Sequence, residues 1–237
     1  MMQILLLALL TVSPADSYNQ GNKYYENGNY SGAIAEYQNA LTAVSSSHIY
    51  YNLGNAYFKN GQIGPAIINY RRARFLDPRD PDINNNLVFA RNYRIDKVLA
   101  NPGPIYSLID RLLHYFSLTE ALWLGLVSFG SLCLLFSLFI LNRRRTFLYA
   151  SSMPGLLFLI LLFSLISWQN EKRSSPAVVI VPEVSALSGP GEEFKQILLL
   201  HDGTEVLIKE KRNDFLLVQL PGGTGGWLKK ETIERIY

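Results

Sequence analysis

The sequence has little of what builds a covalent or metal-bound site. It has one cysteine, Cys133, and three histidines, His48, His114 and His201, which lie far apart along the chain. A single cysteine excludes an intramolecular disulfide framework and a multi-cysteine metal site. The scattered histidines give no ligand spacing, so neither a metal nor a cofactor is expected. The formal net charge of +3 is small and argues against nucleic acid as a partner.

Charge is missing from two long stretches in the second half of the chain. No charged residue lies between Glu120 and Arg143, or between Arg145 and Glu171. Each stretch is long enough to cross a hydrocarbon layer of ~30 Å as a helix. Neither stretch contains Asp, Glu, Lys, Arg or His, so an ion or proton path is disfavoured and an anchor is favoured. The pattern predicts a transmembrane hairpin with helices over residues 119–141 and 146–169.

The turn between the two apolar stretches indicates the orientation of the hairpin. It carries three successive arginines, Arg143, Arg144 and Arg145. Short loops rich in arginine stay in the cytoplasm, so both flanking regions are predicted outside. Lys172 and Arg173, just beyond the second stretch, argue the other way. A predicted N-terminal signal peptide, which would export the N-terminal region, supports placing both flanking regions outside.

That signal peptide is predicted over residues 1–17. Residues 3–10 (QILLLALL) contain an apolar core that is too short to span a membrane, and small residues precede a cleavage position after Ser17. The alternatives are a buried helix or a retained anchor.

Residues 18–98 contain an internal repeat. Gly21 recurs as Gly54, and Asn27-Gly28 as Asn60-Gly61, at an offset of 33 residues. The glycines suit close helix packing, and the Asn-Gly pairs suit turns between helices. The second unit resembles the tetratricopeptide repeat (TPR) in eight positions: Tyr50, Leu53, Gly54, Tyr57, Ala66, Tyr70, Ala73 and Pro78. This predicts a helical TPR domain of two repeats, followed by a capping helix from Pro81 to about residue 97.

The resemblance to TPR domains implies a groove that binds an extended segment of a protein partner. Amides would bond the backbone of that segment, and aromatic rings would cover its side chains. The alternative is that these side chains only pack the helix pairs. The implied groove residues are Tyr18, Asn22, Tyr25, Tyr51, Asn52, Asn55, Phe58 and Lys59.

Residues 99–118 are predicted to form an amphipathic segment in contact with membrane lipid. The alternative is a helix packed against the repeats. Six apolar side chains recur at helical spacing: Ile105, Leu108, Ile109, Leu112, Leu113 and Phe116.

Residues 174–237 are predicted to form a small all-β barrel. Strands are predicted over residues 177–181, 198–200, 205–210, 215–219, 226–228 and 233–237. The region resembles the bacterial SH3-like domain in residues 184–190, 202–206, 216–220 and 225–228. That resemblance implies binding to cell-wall peptides or protein segments, and a purely structural module is the alternative.

The sequence therefore predicts a multidomain membrane protein with an α-helical TPR domain, a two-helix transmembrane hairpin and a small SH3-like barrel. This order of parts resembles the BatE-type proteins of the Bacteroides aerotolerance operons. The resemblance implies membrane partners with von Willebrand A-type domains and a role in envelope or oxidative stress. It also implies the bacterial inner membrane as the location, with both flanking domains in the periplasm.

These predictions lead to three hypotheses for the function. The leading hypothesis is a non-catalytic scaffold that binds protein partners through the repeats and the SH3-like domain. The alternative is a cell-wall sensor whose barrel binds peptidoglycan. A hydrolase using His201 and Asp202 is disfavoured, because no nucleophile with its base and no metal spacing accompanies them.

Overall fold

The computed structural model describes residues 13–97 and 103–237 of the chain. Within these ranges, helices come first and strands follow. The helices are α1 (Pro14–Glu26), α2 (Tyr30–Leu41), α3 (Ser47–Lys59), α4 (Ile63–Leu76), α5 (Pro81–Tyr93), α6 (Pro104–Leu113), α7 (Leu118–Asn142) and α8 (Arg145–Arg173). The strands are β1 (Pro176–Val179), β2 (Glu183–Leu187), β3 (Gln196–His201), β4 (Glu205–Arg212), β5 (Phe215–Gln219), β6 (Gly225–Lys229) and β7 (Ile233–Arg235).

Helices α1–α2 and α3–α4 form two helix pairs that pack tightly because each has a glycine at its crossing point. A Cβ on Gly21 would lie 2.6 Å from Cε1 of Tyr37, and one on Gly54 would lie 2.7 Å from Cδ1 of Tyr70. Only glycine leaves room for these rings. Helix α5 packs on α4 where the capping helix is predicted, with Leu87 buried.

Helices α7 and α8 form a hairpin that is long and apolar enough to cross a membrane. The most apolar windows of the two helices have mean hydropathies of 2.4 and 2.0. Only 11% and 17% of those windows are buried, so neither helix is the core helix of a globular domain. Arg143 ends α7 in a left-handed conformation (φ 55°), and α8 begins two residues later. The predicted spans 119–141 and 146–169 lie within α7 and α8.

The C-terminal strands form a seven-stranded sheet in the order β3-β2-β6-β5-β4-β1-β7, and every pair is antiparallel. Strand β2 is absent from the strands predicted from sequence. Across the described residues no pairing joins the edge strands β3 and β7, so barrel closure stays a prediction. The core of the sheet includes Ala186, Leu200, Val218 and Leu228.

The repeats and the sheet share a hydrophobic core, although the sequence suggests separate modules. Ile67 of α4 and Leu87 of α5 lie in one buried cluster with Val178 of β1 and with Ile236. All four side chains are at most 2% exposed. The sheet therefore packs on α4 and α5 as part of one folded body.

The predicted signal peptide lies mostly outside the described residues, which begin at Ser13. Ser13 caps α1, and its Oγ accepts a hydrogen bond from the Asp16 amide (3.1 Å). Ser17 is buried, and its Oγ accepts from Nδ2 of Asn39 (2.8 Å). Cleavage after Ser17 would therefore remove the cap and first turn of α1, and the processing site stays a prediction.

Candidate partner-binding site

The groove residues predicted from sequence lie on α1 and α3. The seven amide and aromatic side chains are half-buried, and only Lys59 is exposed. On α1 they are Tyr18, Asn22 and Tyr25, and on α3 they are Tyr51, Asn52, Asn55, Phe58 and Lys59.

The first four-residue hydrogen-bond network joins α1, α2 and α3. Oδ1 of Asn22 accepts from the Tyr37 hydroxyl (2.8 Å) and from Nδ2 of Asn52 (3.3 Å). The same Nδ2 of Asn52 donates to the Tyr18 hydroxyl (3.0 Å). The network fixes the Asn22 amide at the junction of the three helices.

The second network repeats the first on α3, α4 and α5. Oδ1 of Asn55 accepts from the Tyr70 hydroxyl (2.7 Å) and from Nδ2 of Asn86 (2.9 Å). Asn86 also donates to the Tyr51 hydroxyl (3.0 Å). Three of its members follow their counterparts by 33 residues, and Asn86 follows Asn52 by 34. We call the two networks together the Tyr–Asn ladder.

The ladder leaves hydrogen-bonding groups available at the surface. No described residue bonds to Nδ2 of Asn22 or Nδ2 of Asn55. Burial raises the pKa of both Tyr37 and Tyr70, so their hydroxyls stay protonated as donors to the asparagines. A cavity of about 200 Å³ opens there, lined by Asn22, Tyr25, Glu26, Tyr37, Asn52 and Asn55. Fixed amides beside aromatic rings can bond the backbone of an extended peptide.

Aromatic side chains extend this surface towards α5. The ring of Phe58 lies 5.4 Å from that of Phe89 and 5.2 Å from that of Tyr93. Phe89 is 50% exposed and Tyr93 60% exposed. The groove predicted from sequence does not include Asn86, Phe89 or Tyr93. For Asn86, an available signal was its place one repeat after Asn52, at an offset of 34 residues rather than 33.

A second polar cluster, centred on Glu205 of β4, joins the sheet to the repeats. Arg91 makes two hydrogen bonds to its carboxylate, both 2.7 Å, while Arg94 and Arg71 approach to 3.1 and 3.2 Å. Burial by itself would raise the pKa of Glu205, but the arginines outweigh it and lower that pKa to about 2. The ionised carboxylate is therefore held by three positive charges, from Arg71 of α4, Arg91 of α5 and Arg94 just after α5.

The same cluster reaches the end of α8. Nη2 of Arg71 lies 2.5 Å from Oε1 of Glu171, and the Tyr237 hydroxyl donates to that oxygen (3.2 Å). Trp168, also on α8, packs edge-on against Phe75 of α4 with ring centroids 5.0 Å apart. The repeats, the sheet and the C-terminal end of α8 are thus in direct contact.

His201 and Asp202, the residues considered for hydrolysis, also contact the helical region. Nδ1 of His201 lies 2.9 Å from Oδ1 of Asp96. Asp202 accepts from the amides of Ile63 (2.7 Å) and Gly64 (3.0 Å) at the start of α4. These contacts give both side chains a structural role between the sheet and the helices.

The arginines of the predicted cytoplasmic turn lie between α7 and α8, at the end of the hairpin that is opposite to the repeats. Arg143, Arg144 and Arg145 are exposed, and no described residue forms an ion pair with them. Their charges are free to face water or lipid headgroups.

Comparison with known families identifies the helical region. Residues 21–61 match the family model described as TPR repeat, and residues 47–79 match the model described as tetratricopeptide repeat. No curated protein matches the chain. The N-terminal half of the chain therefore contains tetratricopeptide repeats, a type of module that binds other proteins.

Proposed function

We propose that this protein is a membrane-anchored, non-catalytic scaffold whose TPR groove binds an extended segment of a partner protein. The observation that carries the proposal is the Tyr–Asn ladder, which fixes asparagine amides beside an open cavity. Fixed amides bind a peptide backbone at a low entropic cost, because they are ordered before the partner arrives.

The position of the sheet supports this assignment. The C-terminal region contacts α4 and α5 through Val178 of β1 and through Ile236 just after β7, whereas the cavity is lined by α1, α2 and α3. Docking of the sheet therefore leaves the groove open to a partner. Exposed Phe89 and Tyr93 extend it with rings that can cover apolar side chains.

The hairpin supports the membrane anchor. Most of the apolar surface of α7 and α8 has no protein cover, and a bilayer would remove that surface from water. The N-terminal end of α7 and the C-terminal end of α8 both adjoin the repeats, through Arg79–Glu120 (2.5 Å) and Arg71–Glu171 (2.5 Å). We therefore assign both folded regions to one side of the membrane and the arginine turn to the cytoplasmic side.

The resemblance to BatE-type proteins supplies a partner class for this groove. We propose that the partner is a membrane protein with a von Willebrand A-type domain, acting in the response of the bacterial envelope to oxidative stress.

Peptidoglycan binding through the sheet is the second candidate. It rests on a cavity of about 520 Å³ beside Phe215, whose walls include Asp214, Lys229, Lys230 and Glu231. The test uses the full chain, since the sheet shares its core with the helices. A Phe215→Ala variant that sediments with peptidoglycan as well as the native protein does would rule this candidate out.

The test of the scaffold is a crosslinked pull-down from membranes. We compare the native chain with Asn22→Ala/Asn55→Ala, using Asn19→Ala as the control because Asn19 is exposed on α1 outside the ladder. We expect the native and control chains to capture one partner protein, and the double variant to capture none. Equal capture of that partner by the double variant would contradict a groove at the ladder.

A further inference from the structure

A third cavity lies between the repeats and α6. It has a volume of about 600 Å³. One wall comes from the end of α4 and the start of α5, and the other comes from α6 and the residues that follow it. The polar lining residues are Arg74, Arg79, Asn84, Ser107, Asp110, Arg111, His114 and Tyr115. We call this space the juxtamembrane pocket.

The lining of the juxtamembrane pocket is positively charged. Three arginines face one carboxylate, Asp110, and that carboxylate is itself paired with Nδ1 of His114 (2.9 Å). Arg74 is only loosely paired, with its Nη2 3.9 Å from Glu171. Arg111 is exposed and forms no ion pair with any described residue. Arg79 is paired with Glu120 through its Nη2 (2.5 Å), and no described residue accepts a hydrogen bond from its Nε or Nη1. The pocket thus offers Arg111 and the unpaired part of Arg79 to an anion.

The pocket lies at the level where the chain enters the apolar hairpin. His114 on its wall precedes the first residue of α7, Leu118, by four positions. On α6, Ile105, Leu108 and Leu112 are 75%, 54% and 60% exposed. An uncovered apolar face beside cationic groups is typical of a helix at the headgroup boundary.

We propose that the juxtamembrane pocket binds the phosphate of an anionic phospholipid headgroup. This inference rests on the membrane anchor of the proposed function. Arg111 and Arg79 would donate hydrogen bonds to the phosphate oxygens. The acyl chains would lie along the apolar side of α6 and α7. A lipid fits better than a soluble phosphate ester, because the charged pocket adjoins uncovered apolar surface on which acyl chains can pack.

Native mass spectrometry of the full chain, released from neutral detergent, tests the site. The protein is titrated with short-chain phosphatidylglycerol, short-chain phosphatidylcholine or glycerol 3-phosphate. The variants are Arg111→Gln, Arg79→Gln/Arg111→Gln and the charge-preserving Arg111→Lys. Arg173→Gln is the matched control, because Arg173 is exposed at the same end of the hairpin but outside the pocket.

We expect one phosphatidylglycerol to be retained by the native chain, by Arg111→Lys and by Arg173→Gln. Loss of a charge-assisted hydrogen bond should weaken binding about tenfold in Arg111→Gln, and further in the double variant. Equal retention of phosphatidylcholine would overturn the headgroup site, as would unchanged binding by the double variant. Glycerol 3-phosphate that binds as well as the lipid would assign the pocket to a soluble phosphate ester and would also overturn the proposal.

Carbonate extraction of native membranes separates this result from the proposed anchor. A chain released by carbonate contradicts the anchor, and the lipid site fails with it. A chain that stays in the membrane, but binds lipid equally well with and without Arg79 and Arg111, contradicts the lipid site alone.

Discussion

Asp202 caps the N-terminus of α4 from the turn after β3: its Oδ1 lies 3.0 Å from the amide nitrogen of Gly64. The other oxygen accepts from the Ile63 amide (2.7 Å). Gln62, the residue before α4, makes no capping bond with its side chain. The sheet thus satisfies backbone donors that the helix leaves unpaired. The contact therefore joins the sheet directly to the start of α4.

Gly64→Ala should weaken that docking. A Cβ at this position would overlap the carbonyl oxygen of Val179 and the carboxylate of Asp202, and a backbone atom cannot move aside cheaply. We expect a loss of ~1–3 kcal/mol in the free energy of unfolding, as for other overpacked sites. Denaturant unfolding of the full chain in detergent measures it.

Gly130→Ala is the control for this substitution, because a Cβ there has nothing within 4 Å. Limited proteolysis should cut Gly64→Ala faster than the native chain between the hairpin and the sheet. Unfolding midpoints that match for the native chain and Gly64→Ala would contradict the close contact.

Glu205 should make stability depend on pH. Its pKa is lowered to about 2 in the folded chain, from an ordinary value of 4.5. A lowered carboxyl pKa stabilises the folded state fully above pH 4.5, and this contribution is lost as the pH falls from there towards 2. This difference in pKa corresponds to ~3 kcal/mol of unfolding free energy at neutral pH.

Replacing Glu205 by Gln tests this prediction. At pH 7 the variant should be ~3–5 kcal/mol less stable, because three arginines would face a neutral side chain. The difference in unfolding free energy between the native and variant chains should become smaller as the pH is lowered from 5 to 3. Glu210→Gln is the control, since Glu210 pairs only with exposed Arg212 among the described residues. A constant difference across this range would show that the pKa of Glu205 is not lowered.

The two halves of the Tyr–Asn ladder should respond alike to loss of a hydroxyl. Tyr37→Phe removes the bond to Asn22, and Tyr70→Phe removes the bond to Asn55. Each should cost ~1 kcal/mol of unfolding free energy. Tyr106→Phe, on the exposed side of α6, should leave the unfolding free energy unchanged. A large loss in one ladder variant and none in the other would argue against equivalent networks.

Regular patterns in the sequence predicted much of this fold. Gly21 and Gly54 marked the helix crossings through the repeat offset, and uninterrupted apolar stretches marked α7 and α8. Strand β2 was missed because its residues alternate weakly, with only Ala186 fully buried. The repeats and the apolar helices were predictable because they depend on local periodicity, which is visible in a single sequence.

The docking of the sheet on the repeats could not be predicted. Glu205 and Arg91 are 114 positions apart, and each would suit an exposed surface in its own domain. His114 packs on Trp168 with ring centroids 4.4 Å apart, although the two residues are 54 positions apart in the sequence. Long-range pairing of this kind leaves no periodic signal in one sequence.

The central claim is that the hairpin holds the repeats and the sheet together on the outer side of the membrane. Single cysteines at Lys23, Arg144 and Lys230, in a Cys133→Ser background, test it with an impermeant maleimide on intact spheroplasts. We predict labelling at positions 23 and 230 from outside, and at position 144 only after permeabilisation. Labelling of position 144 from outside, or of only one of the other two, would contradict the claim.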